Sequence, residues 1–225
     1  MRIRPIAVLA SFLLLASAAH AQVRFMGPED RWEDLIGGSN QRAYETLDFV
    51  EPRPLLDGDT LDLGAVTVTF HDPSGTSLAS VRNGFRIHPN WTTYVDASLN
   101  GGGSITLDFT HPIYALSLGV LTWDTGETPR ALALTIDGET YRLDVLPYWP
   151  WWESPFEFMV NVQVQLISER SFRSVTISEF NPSGSTYLQL DDIVYSRTGA
   201  PVGNGPPAWL NIPPSTPDGS LQGKP

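Results

Sequence analysis

Ile105-Thr106-Leu107-Asp108-Phe109 alternates apolar and polar residues without a break. A strand points successive side chains to opposite faces. Period two therefore gives Ile105, Leu107 and Phe109 a core face, and Thr106 and Asp108 a polar one. Val66-Thr67-Val68-Thr69-Phe70 repeats the pattern. Working outward, the same reading predicts strands over residues 43–49, 84–87, 92–97, 114–121, 131–136, 140–145, 156–166, 174–180 and 187–195. Asp57-Gly58, Asn83-Gly84, Asn100-Gly101-Gly102-Gly103 and Asp137-Gly138 separate them with turn chemistry. Ile136-Asp137-Gly138-Glu139, between two apolar runs, is the strongest hairpin signal. One short helix is expected over residues 28–36, with Pro28 at its first position, acids in the first turn and Gly37-Gly38 at its end. The expected fold class is all-β, an antiparallel β-sandwich of jelly-roll type with one short N-terminal helix.

The two ends of the chain read differently. Arg2 and Arg4 precede an apolar run over residues 6–18, and Ala19-His20-Ala21 is a small-x-small site, so residues 1–21 read as a secretory signal peptide. Residues 22–42 form an N-terminal extension carrying the short helix, residues 43–197 the sandwich domain, and residues 198–225 a Pro/Gly-rich tail with no strand pattern. The expected location is secreted or periplasmic. No later segment reaches the 18 or so apolar residues of a membrane helix, so no span is expected after signal cleavage. The net charge of −11 argues against nucleic acid, which needs clustered Lys and Arg. Loss of the leader removes two bases and no acid. With no cysteine there is no disulfide framework, thiolate metal site or Cys nucleophile.

The residues that attract attention for binding are aromatic. Pro147-Tyr148-Trp149-Pro150-Trp151-Trp152 packs four aromatic rings into a segment whose two prolines bar it from the interior of a sheet. The expectation is a surface loop in which Tyr148, Trp149, Trp151 and Trp152 stack on sugar faces, with Glu153 as a polar contact; capping of one end of the core is the alternative. Asp191 and Asp192 interrupt an apolar terminal strand, where a carboxylate is costly unless paired or coordinated. A hard cation would resolve that cost.

The run from Ser104 to Ser196 carries a family resemblance. Ile105–Phe109 is followed by Pro112 and Ile113-Tyr114-Ala115-Leu116-Ser117-Leu118. Gln165-Leu166-Ile167-Ser168 and Phe172-Arg173-Ser174-Val175-Thr176-Ile177 come later, and Leu188-Gln189-Leu190-Asp191-Asp192-Ile193-Val194-Tyr195 closes it. This order resembles the jelly-roll domains of bacterial secreted proteins of the PEP-CTERM type. More broadly it is similar to galactose-binding-like sandwiches, which include many carbohydrate-binding modules. The sorting tail of the former is missing at this C-terminus, so membrane sorting is not implied. The resemblance implies a structural Ca²⁺ held between the first and last strands, here Asp191 and Asp192 with Glu45 or Asp48 from Glu45-Thr46-Leu47-Asp48-Phe49.

Catalytic signatures are sparse. His71, His88 and His111 show no metal-ligand spacing, and no G-x-S-x-G occurs. A glycosidase needs two opposed carboxylates, which a chain with 25 acids supplies without any motif. The function expected from sequence is therefore an exported non-catalytic domain, not an enzyme, that binds glycan or extracellular polymer. The alternatives are a structural or adhesive cell-surface protein acting by protein contacts, and a carbohydrate-active hydrolase or lyase.

Overall fold

The computed structural model describes residues 23–25, 36, 42–45, 47, 50–83, 93–123, 132–142, 149–150, 159–179 and 186–198. Within them the chain is all-β and antiparallel. Its strands are β1 (Val23–Phe25), β2 (Arg42–Glu45), β3 (Arg53–Leu55), β4 (Thr60–Asp62), β5 (Val66–His71), β6 (Leu78–Asn83), β7 (Thr93–Leu99), β8 (Ser104–Trp123), β9 (Leu132–Ile136), β10 (Glu139–Arg142), β11 (Trp149–Pro150), β12 (Met159–Glu179) and β13 (Thr186–Ser196). The main path of hydrogen-bonded neighbours is β10-β9-β12-β8-β13-β7-β6-β3. On its flanks β5 pairs with β8 and β4, β1 and β11 pair with β12, and β2 pairs with β13.

Two strands are far longer than expected. Residues 105–109 and 114–121 are one strand, and so are residues 156–166 and 174–180 in the main. β8 and β12 pair from Met159↔Trp123 to Ser178↔Ser104, with breaks in register beside Phe172. The sequence shows why they bend there. In β8 the core residues fall on odd positions as far as Ile113 (Ile105, Leu107, Phe109) and on even positions from Leu116 (Leu118, Val120). In β12 the shift is the reverse, from Val164 and Leu166 to Val175 and Ile177. A bulge adds one residue and so turns the following side chains over. His111 and Pro112 stand exposed at the bend, where the missing proline N–H costs nothing.

The bend divides the sheet into two halves. The first halves of β8 and second of β12 carry β5 with β4 and β9 with β10. The other halves carry β13 on one side and β1 with β11 on the other. One hydrophobic cluster collects residues of both, including Phe25, Leu47, Leu107, Leu118, Ile136 and Leu190. On the back of the second half Ile36 packs with Ala115 and Ile167 in a small separate cluster. The expected helix at residues 28–36 falls, apart from Ile36, outside the described residues, as do the signal segment and the tail.

The outward face of the first half is a row of threonines. Thr60, Thr69, Thr106, Thr176, Thr135 and Thr140 stand opposite one another on six successive strands. Thr106 and Thr176 hydroxyls lie 3.0 Å apart, and those of Thr135 and Thr140 2.9 Å. β-Branched residues suit a pleated surface, and cross-strand Thr pairs add hydrogen bonds to it.

The hairpin at Asp137-Gly138 forms as expected. Ile136 pairs with Glu139, and both turn residues have positive φ, 50° and 83°. That is the two-residue turn whose twist matches the strands. Replacing Gly138 by Ala is expected to cost about 1 kcal/mol in urea unfolding, since a Cβ finds open space but an unfavourable backbone. Asn should cost less. Leu118→Ala, within the core beyond the bend, should cost about 2–5 kcal/mol. Equal stability of all three variants would contradict this architecture.

Candidate functional site

β6, β7 and β13 lie side by side, and their core face carries Val81, Val95, Ala97, Leu99, Leu188 and Leu190. Alternation puts Ser80 and Arg82, then Tyr94, Asp96 and Ser98, then Tyr187, Gln189 and Asp191 on the opposite face. That face is not simply solvent-washed. Asp96 is 7% exposed, Gln189 2% and Asp191 1%. In register, Asp96 faces Ser80 on one side and Gln189 on the other.

Asp96 is the centre. Arg82 Nε lies 2.7 Å from one of its oxygens, Oδ2, and also donates to Ser80 Oγ. The Tyr187 hydroxyl donates to Asp96. Gln189 Nε2 donates to the Tyr187 oxygen at 2.7 Å and its side chain also bonds Tyr94. Because the single Tyr187 proton is on Asp96, the Gln189 atom facing Tyr187 must be the amide NH₂, which fixes the amide orientation. Two buried acceptors remain with no hydrogen-bond partner, Asp96 Oδ1 and Gln189 Oε1. Such a group costs roughly 1–3 kcal/mol when left unsatisfied. Burial first, then the Asp96 carboxylate, raises Tyr187 and Tyr94 above the ordinary phenol range. Both therefore stay protonated; Tyr187 donates to Asp96 and Tyr94 accepts from Gln189.

The acids expected to hold calcium gather where β2 meets β13. Asp191 Oδ1 accepts the Leu47 N–H at 3.2 Å. Asp192 Oδ1 accepts the Tyr44 hydroxyl. Glu45 Oε1 accepts the Tyr195 hydroxyl at 3.4 Å. Asp192 is the extra residue of a bulge, with φ of 53°, a conformation that Asp tolerates better than most residues. Asp48 lies outside the described residues. Among the described residues no three His, Cys, Asp or Glu side chains come close enough together to hold a metal. Each of the three described acids accepts a hydrogen bond from the protein.

Of the aromatic segment, Trp149 and Pro150 form a two-residue bridge to β12, opposite Gln163 and Val162. Tyr148, Trp151, Trp152 and Glu153 lie outside the described residues. Asp57-Gly58 forms a turn that leads into β4, and the acids around it accept local donors: Asp57 the Asp72 N–H, Asp59 the Leu56 N–H and Arg53, and Asp62 the Gly64 N–H. Sequence reasoning missed Arg82, Tyr94, Asp96, Tyr187 and Gln189. Tyr94-Val95-Asp96-Ala97-Ser98 looks like any strand with a wet face.

No protein-family model matches the chain, and no curated protein matches it. Among solved structures it is similar to the catalytic domain of GH87 alpha-1,3-glucanase in complex with nigerose, at 13% identity and a TM-score of 0.36. A variant of that domain in complex with tetrasaccharides matches at 12% and 0.37. In both cases the likeness covers 74% of this chain and 30% of the solved one, so the chain spans under a third of their length. The expectation of a non-catalytic domain that is not an enzyme is corrected by this comparison, because the solved neighbours are catalytic domains of a glycoside hydrolase. At these TM-scores the likeness carries no mechanism, and the residues must supply it.

Two outcomes follow for this face. Asp191→Ala strands the Leu47 N–H and should cost about 1–3 kcal/mol, whereas melting curves with calcium and with a chelator should coincide; a rise of several degrees in calcium would place an ion there. Tyr187 and the buried Tyr141, raised by burial and then by Glu139, hold their protons in the folded state where the unfolded chain releases them. Stability should be full below about pH 10 and fall above it, with Tyr187→Phe and Tyr141→Phe flattening the fall. A wild-type profile level to about pH 12 would contradict that.

Proposed function

We propose that this chain is an exported carbohydrate-active hydrolase domain, built on a jelly-roll-type sandwich, with its site on the polar face of β7 and β13. The observation that carries the reading is the pairing of two nearly fully buried carboxylates, Asp96 and Asp191, on one sheet face. Gln189 stands opposite Asp96, which makes Asp191 its diagonal neighbour. Diagonal neighbours on adjacent strands have backbone positions roughly 7–8 Å apart, a spacing compatible with carboxyl groups a similar distance apart. Carboxyls about 6.5–9.5 Å apart leave room for a water between one of them and the sugar, the arrangement of single-displacement hydrolysis with inversion. Arg82, Tyr94, Tyr187 and Gln189 around them are the donors and acceptors that sugar hydroxyls require.

Lyase chemistry is the weaker reading. Removing a proton beside a uronate carboxylate calls for a base, and the two tyrosines here are held in the protonated form. The chain should release reducing ends from a polysaccharide panel without forming unsaturated products. Asp96→Asn and Asp191→Asn should each lower that rate by about 10²–10⁴ with an unchanged circular dichroism spectrum. Full activity in either variant, or unsaturated products from the wild type, would remove the assignment.

A further inference from the structure

We infer that the site takes neutral sugars with adjacent free hydroxyls, and selects against uronates and other anionic glycans; this rests on the polar face proposed above as the site. The two unsatisfied atoms of this face are both acceptors, Asp96 Oδ1 and Gln189 Oε1. They belong to residues directly opposed on neighbouring strands. Side chains so placed have Cβ atoms about 4.5–5.5 Å apart, so one pair of adjacent donors can serve both acceptors, which are covered from solvent here and must be uncovered for a sugar to enter. What they lack is a pair of donors. Vicinal hydroxyls supply one O–H to each and keep an oxygen for the Tyr94 hydroxyl, since the Tyr187 proton is already on Asp96.

Charge decides between kinds of donor and kinds of sugar. Among the described residues this face holds one guanidinium, Arg82, and two carboxylates, Asp96 and Asp191. Arg82 is committed to Asp96 at 2.7 Å. A uronate would bring a third carboxylate to a face already in anionic excess, on a chain of net charge −11. A divalent cation would satisfy the acceptors but meet the Arg82 guanidinium alongside, with no third acid ligand in reach among the described residues. A neutral polyol meets neither penalty. A water molecule is the other neutral donor that fits, and it is the occupant a sugar would displace.

Isothermal titration of the full mature chain separates these cases, using neutral gluco-oligosaccharides of several linkages and oligogalacturonates of matched length. The expected result is at least tenfold tighter binding of a neutral series than of the uronates. Gln189→Leu should lose at least tenfold in that binding, and Gln189→Glu should keep the size and lose affinity by a similar factor. The thermal transition of each variant reports on folding. If Gln189→Leu unfolds, Gln189→Glu carries the comparison. Equal or preferred uronate binding would overturn the inference, as would a water bridging Asp96 and Gln189 that survives in a crystal soaked with the neutral series. Neutral binding without release of reducing ends would leave this inference standing and sink the hydrolase. Cleavage of uronates would do the opposite.

Discussion

The pairing of β8 with β12 is the constraint on which the molecule depends. Their ladder runs nearly the full length of both strands, and every other strand except β2, β3, β4, β6, β7 and β10 bonds directly to one of them. The excepted strands attach at one to three removes. The ladder is interrupted beside Phe172, and the apolar positions change parity on both sides of that point. A continuous ladder would have kept one face apolar throughout and made a single long ribbon. The slip instead lets two halves of one sheet contribute to one core, without cysteine bridges to hold them.

The polar face of β7 and β13 exists because of what lies beneath it. Val95, Ala97, Leu188 and Leu190 anchor the strands in the core, and that leaves Asp96, Gln189 and Asp191 fixed in direction. Burial then gives these groups their character. Asp96 is paired with Arg82, the tyrosines keep their protons, and two acceptor atoms of the set are left without a partner. Rigid strands rather than loops carry the set, which favours fixed geometry over adaptability.

Much of the fold was legible in the sequence and little of the site. Period-two patterns located β5, β7, β9 and the two arms of β8, and Asp137-Gly138 located its hairpin. What could not be read was that His111-Pro112 lies within a strand rather than between two, since a bend and a turn use the same residues. The short edges β3, β4 and β6 lack alternation strong enough to see. Asp191 and Asp192 drew notice because acids in an apolar run are conspicuous, yet their hydrogen bonds to Leu47 and Tyr44 join residues 144 and 148 positions apart. Asp96 drew none, because an alternating polar residue reads as solvent-facing whether or not something covers it. Burial on the second face of a strand is a tertiary property.

The parity change in the long ladder also sets where this chain can tolerate inheritance of length changes. Adding or losing one residue between Ile113 and Leu116 would turn every subsequent side chain of β8 over, sending Leu118 and Val120 outward and Ser117 inward. A compensating event would be needed in β12 at the same height. At the Asp137-Gly138 tip, by contrast, an insertion alters nothing beyond the loop it lengthens. Descendants of this sequence should therefore diverge by indels at hairpin tips while holding an unchanged residue count across the bend.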